Sequence, residues 1–277
     1  MEYVDASGAR IPKLGLGTWQ NTGSGCADNV RTALELGYRH VDTAQVYDNE
    51  HLVGEGIATA DVDREDVFLT TKVWRSNLRH GDVLSSVRES LENLGVSYVD
   101  LLLIHWPHPR VPVEETLDAM ATLRDEGAVR HLGVSNFTRS QLRAARDTVD
   151  APIVTDQVLY HPYRSRDDLL TFCRENGVAL TAYSPLARGD AIDDPVLTEI
   201  GDRYGKSAPQ VALRWLVQQD GVVAIPKASS REHLEANLAV FDFSLSGAEM
   251  ATIDDLRPGL GRRLRDNVPR IVRRLPF

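Results

Sequence analysis

The stretch "HGDVLSSVRESLENLGVSYVDLLLIHW", residues 80–106, holds two periodicities joined by a glycine. From His80 the apolar residues Val83, Val87, Leu91 and Leu94 recur at three and four, with charges on the other faces, which predicts an amphipathic helix. Gly95 ends it, because glycine takes a left-handed terminal conformation without steric cost. The run "VDLLLIHW" that follows is short and apolar, predicts a buried strand, and finishes on His105 and Trp106.

The same unit recurs along the chain. Strand-like runs are "KLGLG", "RHVDTA", "VFLTTKV", "VDLLLIHW", "VRHLGVSN", "PIVTDQVLY", "VALTAYSPL" and "VVAIPKA", with helical spacing between them and further helix stops at Gly37, Gly127 and Gly177. An opening hairpin is predicted around Ser7-Gly8 in "YVDASGARIPKLGLG". Parallel strands need helical crossovers, and eight strands close around a packed interior, so the expected fold is an α/β (β/α)8 TIM barrel with an N-terminal β-hairpin cap. A doubly wound open sheet is the competing architecture. Its G-x-G-x-x-G fingerprint is not met, since "GLGTWQ" carries Gln20 in the third glycine position. No Pro/Gly/Ser-rich linker or charge block divides the 277 residues, so a single barrel domain over 1–277 is expected.

Composition narrows the function classes. A net charge of −9 argues against nucleic acid or an anionic membrane as partner. No long apolar run or signal-peptide pattern is present, so a cytoplasmic protein is expected. Two cysteines, Cys26 and Cys173, are too few for a disulfide framework or a four-cysteine zinc site, and no metal is expected. The chain has 25 Asp, 4 Lys and 27 Arg. A high-salt cytoplasm and a GC-rich genome that favours Arg codons both account for that bias; an activity optimum near zero salt excludes the first.

In a barrel the chemistry belongs at the C-terminal ends of the strands. Those ends carry Thr18-Trp19, then Asp42 with Tyr47 in its loop, Lys72 with Trp74, and His105-Trp106. The second half brings Ser135-Asn136, Asp156-Gln157, Tyr183-Ser184 and Lys227. Each has an ordinary explanation alone: Asp42 as a cap, Tyr47 as rim packing, Lys72 as a solvated charge, His105 as a hydrogen-bonded structural residue. Together they make a consistent chemistry. A tyrosine is a poor acid near neutrality unless a cation stabilises its phenolate; Lys72 can be that cation, Asp42 can hold it, and His105 can orient a carbonyl oxygen. Trp19, Trp74 and Trp106 are candidate apolar walls, whereas Trp215 falls on a helical segment and reads as core.

At these residues the chain resembles the aldo-keto reductase family, over nearly its whole length from "KLGLGTWQ" to "FDFSLSGAEM" and most closely its prokaryotic, 2,5-diketo-D-gluconate reductase-like members. "DTAQVYDNE", "LTTKVW" and "LLIHWP" are similar to the family's Asp/Tyr, Lys and His segments. The resemblance implies a catalytic tetrad of Asp42, Tyr47, Lys72 and His105, with hydride passing from a nicotinamide to a substrate carbonyl and Tyr47 donating the proton. "GVSNF", "DQVLYHP" and "AYSPLARG" imply that Ser135, Asn136 and Gln157 hold the carboxamide, that Tyr183 stacks under the ring, and that Ser184, Pro185 and Leu186 line the pyrophosphate. Thr18 and Trp19 at the first strand end are further candidate cofactor contacts. "IPKASSREHLEANL" implies Lys227, Ser229, Ser230, His233 and Asn237 at the adenosine phosphate. Trp19, Tyr47, Trp74, His105 and Trp106 are the implied substrate contacts, and the resemblance also suggests a monomer.

The chain departs from the family's pattern in places. Ala228 stands where a Ser is usual and His233 where an Arg is usual, which leaves fewer charge-assisted bonds for a 2′-phosphate. NADP(H) is therefore expected as cofactor with NAD(H) as a weakly rejected second. Asp156 stands where an Asn is usual, and the tail "GRRLRDNVPRIVRRLPF" falls at the family's variable substrate loop, where its arginines would suit anionic or sugar-acid substrates unless they are solvated surface charge. Against a reductase of small carbonyl substrates stand two other functions: a non-catalytic dinucleotide-binding sensor or partner subunit, and a metal-dependent barrel hydrolase. The intact tetrad weighs against the former. The latter would need a His-x-His pair at the first strand, which the chain lacks.

Overall fold

A computed structural model describes residues 1–23 and 25–256. The turn at Ser7-Gly8 joins β1 (Tyr3–Ala6) to β2 (Ala9–Pro12) in an antiparallel hairpin. Ser7 and Gly8 take φ of 44° and 91°, the positive values that let a two-residue turn match the twist of its strands.

Eight parallel strands follow, and their order in the sheet is their order in the chain. They are β3 (Leu16–Gly17), β4 (His40–Asp42), β5 (Phe68–Val73), β6 (Val99–Ile104), β7 (Val129–Ser135), β8 (Ile153–Leu159), β9 (Ala179–Tyr183) and β10 (Val222–Ile225). The last strand meets the first. Gly15 N donates to Ala224 O at 2.9 Å, Ala224 N to Lys13 O at 2.8 Å and Gly17 N to Pro226 O at 3.0 Å, which closes the sheet into the expected (β/α)8 barrel. The seam explains one glycine. A Cβ on Gly17 would lie 2.7 Å from the Ile225 carbonyl oxygen, which is backbone and cannot swing aside. Gly17→Ala is expected to cost about 1–3 kcal/mol by overpacking, read as a lowered thermal midpoint; an unchanged midpoint would show that the seam has slack.

Helices α1 (Gly25–Glu35), α2 (Glu50–Ala58), α3 (His80–Leu94), α4 (Val113–Asp125), α5 (Arg139–Thr148) and α6 (Asp167–Glu175) fill the first six crossovers. Gly37, Gly95, Gly127 and Gly177 all adopt positive φ, as the helix stops require. The β9-to-β10 crossover differs from a one-helix alternation. It holds α7 (Pro195–Asp202) and α8 (Ala208–Gln218), because Asp194 caps a new helix by accepting from the Val196 and Leu197 amides with Pro195 in its first turn. After β10 come α9 (Arg231–Leu238) and α10 (Gly247–Asp254).

Alternation along each strand sorts its residues between two cores. On β6, Leu102 and Ile104 pack outward among helix residues such as Val83, Val87 and Leu117, while Leu101 and Leu103 pack inward on Val4, Ala6, Ala9 and Ile11 of the hairpin. The hairpin thus plugs the N-terminal floor of the barrel. Above it lies a hydroxyl layer, with His40 Nε2 and Thr70 Oγ1 at 3.2 Å and Thr155 Oγ1 and Thr181 Oγ1 at 2.8 Å. Burial pushes the His40 imidazole down to about 4, so it sits there neutral. Two residues further up each strand come the polar strand ends: Asp42 above His40, Lys72 above Thr70, Gln157 above Thr155 and Tyr183 above Thr181. No helix of the described residues is long and apolar enough to cross a membrane.

Candidate active site

Asp42, Tyr47, Lys72 and His105 meet at the upper mouth. Lys72 is fully buried at the inward-facing end of β5. An ammonium there needs partners for three N–H groups. Its Nζ reaches Asp42 Oδ1 at 2.5 Å, the Thr43 carbonyl at 2.7 Å and Tyr47 Oη at 3.5 Å. Asp42 is occupied on both oxygens, since Oδ2 accepts from Gln157 Nε2 at 2.7 Å. Burial draws the Lys72 ammonium below its ordinary value, and the Asp42 carboxylate pulls the other way.

Tyr47 lies in a single 3-10 turn (Gln45–Tyr47) after β4, followed by Asp48 in the left-handed region at φ 55°. That turn lifts the phenol out of the strand line and over Lys72, whose ammonium lies 5.0 Å from the ring centre. Burial and the Asp42 carboxylate push the phenol well above its ordinary value, so it is a held proton rather than a base. His105 stands edge-on to Tyr47, ring centres 5.7 Å apart, and edge-on to Trp74 at 5.1 Å. Burial, then the Lys72 charge, drives His105 down to about 2, which keeps it neutral. Its Nδ1 is buried without a partner. A proton there would be an unsatisfied donor, so the tautomer assigned is Nε2–H.

Asp42, Tyr47 and His105, with Lys72 buried behind them, open on a cavity of about 260 Å³ lined also by Trp19, Trp106, Ser135, Asn136, Gln157, Tyr183 and Ser184. A left-handed turn builds its far wall. Asn136 has φ 64°; its amide and the Ser135 hydroxyl both donate to the Gln157 carbonyl, at 2.9 and 2.8 Å. Its side chain donates to the His105 carbonyl at 3.0 Å and accepts from Tyr183 Oη at 2.9 Å. Ser135, Asn136, Gln157 and Tyr183 thus bring a hydroxyl, two primary amides and an aromatic ring to the lining of one cavity, groups of the kind that pair with a primary amide on a flat heterocycle.

Other candidate residues sit further out. Thr18 is fully buried and its hydroxyl donates to the Asp42 carbonyl, fixing the first two strand ends together. Trp74 packs on His105. Pro185 is buried and Leu186 half-buried behind Ser184. Lys227, Ser229, Ser230 and His233 are exposed around the start of α9, with Ser230 capping that helix and Lys227 Nζ donating to the Gln20 carbonyl at 2.9 Å. Asn237 is buried beside Tyr38, and Ala228 is buried with its carbonyl accepting from Asn29 at 2.6 Å. Asp156 faces away from the cavity, into the layer between β8 and the helices, where its Oδ1 accepts from the Phe137 amide. The arginine-rich tail lies outside the described residues.

Val46, Leu159, Arg188 and Ile225 also line the cavity and were absent from the sequence-based set. Leu159 and Ile225 carried a usable signal, being the inward-parity ends of β8 and β10. Val46 and Arg188 carried none, because loop geometry places them. Among the described residues no group of three potential ligands could hold a metal ion.

Comparison with known proteins agrees with this geometry. A model of the Aldo/keto reductase family matches residues 13–258. A solved structure described as a putative 2,5-diketo-D-gluconic acid reductase B is 48% identical with a TM-score of 0.92, covering 94% of this chain and 93% of that one. The aldo-keto reductase of Bombyx mori in complex with NADP is 34% identical with a TM-score of 0.86, covering 92% of each chain. A methylglyoxal reductase of Escherichia coli O157:H7 is 39% identical over 88% of this chain and 92% of its own length. The chain belongs to the aldo-keto reductase family.

Proposed function

We propose that the protein is an NADP(H)-dependent reductase of small aldehydes or ketones, acting as a monomer on one barrel. The observation that carries this is the placement of Lys72 Nζ, held by Asp42 and the Thr43 carbonyl and directed at the Tyr47 phenol beside a neutral His105. The NADP complex of the Bombyx relative and the methylglyoxal activity in the Escherichia relative's name support it.

Bound NADP(H) supplies the hydride. The protein's residues do the rest. Ser135, Asn136 and Gln157 would hold the carboxamide edge, and Tyr183 would support the ring face. His105 Nε2–H and Tyr47 Oη–H converge on the carbonyl oxygen and fix its orientation. As negative charge grows on that oxygen, the Tyr47 proton moves to it. An alkoxide is a stronger base than a phenolate, so transfer is downhill even from a phenol raised by burial. The phenolate left behind lies against the Lys72 ammonium, which Asp42 keeps in place. Trp19, Val46, Trp106, Leu159 and Ile225 exclude water and favour a compact, partly apolar substrate.

Mixing the enzyme, NADPH and methylglyoxal should lower absorbance at about 340 nm, the reduced-nicotinamide signal. A dinucleotide-binding protein without catalysis would leave the signal flat across a panel of reactive aldehydes and ketones. At the adenosine end the exposed set offers one lysine, two hydroxyls and a histidine. NADPH is therefore expected to be preferred over NADH by less than about a thousandfold, roughly 4 kcal/mol; steady-state kinetics giving a larger ratio would overturn that expectation.

A further inference from the structure

The left-handed turn at the cavity is also held from behind. Asp156 directly precedes Gln157 on β8, so their side chains leave opposite faces of the sheet. Gln157 reaches into the barrel to Asp42, while Asp156 is fully buried on the outer side. Its Oδ1 accepts from the Phe137 amide at 3.4 Å, and its Oδ2 has no partner. Phe137 is the residue after Asn136. The positive-φ residue is thus gripped by the Gln157 carbonyl and the Tyr183 hydroxyl on the cavity side and, one amide further on, by the Asp156 carboxyl on the other.

We propose that Asp156 is a positioning residue for dinucleotide binding: its carboxyl holds the Ser135–Asn136–Phe137 turn from outside the barrel and makes that turn's geometry depend on pH. The proposal rests on the cofactor reading above.

The surroundings decide the sign. Arg166, in the segment leading into α6, is the charged side chain whose field reaches Asp156, and its own Nε is bound to the Leu159 carbonyl at 3.1 Å. From α6 comes the Cys173 thiol, itself pushed up to about 12 by burial and then by Asp156. From α5, Arg146 acts on Cys173 and is tied to Asn176 Oδ1 at 2.5 Å. Arg166 favours a charge on Asp156 but makes no bond to Oδ2, and burial outweighs it, pushing the carboxyl well above its ordinary range. As a neutral acid it offers the Phe137 amide an oxygen and buries one unpaired O–H, which costs less than an unpaired charge in the same place. Ionised, it would draw in water or the Arg166 guanidinium and pull on the turn. Because the folded state keeps a proton that the unfolded chain releases, this group's contribution to stability is complete at low pH and is lost as pH rises toward the folded value.

The test uses the full chain as wild type, Asp156→Asn and Asp156→Leu. Dissociation constants for NADPH and NADH are read from tryptophan fluorescence, for which Trp19 and Trp106 are placed, between about pH 6 and about pH 9, together with melting of the cofactor-free protein. Ionisation of the buried carboxyl should raise both constants of the wild type together and by the same factor, as expected of linked sites. Asp156→Asn, which keeps the acceptor and cannot ionise, should give flat profiles and a melting temperature that gains on the wild type as pH rises. Asp156→Leu, which lacks the acceptor, should bind weakly at every pH. In turnover, the dependence should fall on KM for the dinucleotide and not on kcat.

Superimposable wild-type and Asn profiles would overturn the proposal. So would a pH effect confined to NADPH, which places the titration at the adenosine phosphate. If the Leu variant does not fold, the Asn profiles decide alone. Failure of the wild type to bind either dinucleotide would overturn the cofactor reading, and this role with it.

Discussion

Tyr47→Phe should lower carbonyl reduction by about 10²–10⁴-fold, the range for removal of a general acid placed on the reacting atom. The ring stays, so the edge contact with His105 and the cavity wall stay, and binding of the dinucleotide and folding should change little. A loss confined to kcat identifies a group acting in the transition state. Full activity in this variant would show that the proton comes from elsewhere, with His105 the next candidate. Since the phenol is held protonated well above its ordinary value and His105 is neutral down to about 2, neither should impose an acid limb on kcat near neutrality.

Asp42→Ala should be harmful in a second way. It strips the buried Lys72 ammonium of its only carboxylate partner among the described residues and leaves Gln157 Nε2 without its acceptor. Breaking one side of a buried pair costs about 3–5 kcal/mol, expected as a fall in melting temperature of roughly 10 °C. Without Asp42 the burial that already lowers the Lys72 value is opposed by the more weakly acting Glu50 carboxyl, so the ammonium gives up its proton at lower pH. Residual turnover should accordingly shift toward acid, and Asp42→Asn should recover stability more than rate. A variant that melts like the wild type with an unmoved pH profile would mean that Lys72 does not depend on Asp42 for its charge.

The barrel was readable because two periods alternate without ambiguity: three-and-four spacing through Val83, Val87, Leu91 and Leu94, then a compact run into His105. The tetrad was readable for a related reason. In a closed parallel barrel the last inward residue of each strand reaches the mouth, which locates Asp42, Lys72 and His105 from strand limits alone. Tyr47 lies five residues past its strand, and its role came from the chemistry that a Lys, an Asp and a His at the same mouth give a phenol, with the family resemblance added to it. What stayed hidden depends on rotation and curvature, which long-range contacts set. The outward direction of Asp156 follows from its place on β8 beside Gln157, yet the strand's register in the sheet is not written in the run "PIVTDQVLY". The β9-to-β10 crossover carries one helix more than the alternation predicts, although Asp194-Pro195 is a good start for α7. Val46 and Arg188 reach the cavity through loop geometry that local residues do not encode.

The hairpin at the floor has a kinetic consequence. With Ile11 and its neighbours packed on Leu101 and Leu103, the floor of the barrel is closed among the described residues and the cavity at the strand ends is the way in. In the proposed reaction two molecules must share it, one of them at the seat built from Ser135, Asn136, Gln157 and Tyr183 in the cavity that Trp19 and Trp106 also line. Under that proposal the molecule bound for this seat is expected to enter first and leave last, an order that product-inhibition kinetics would read.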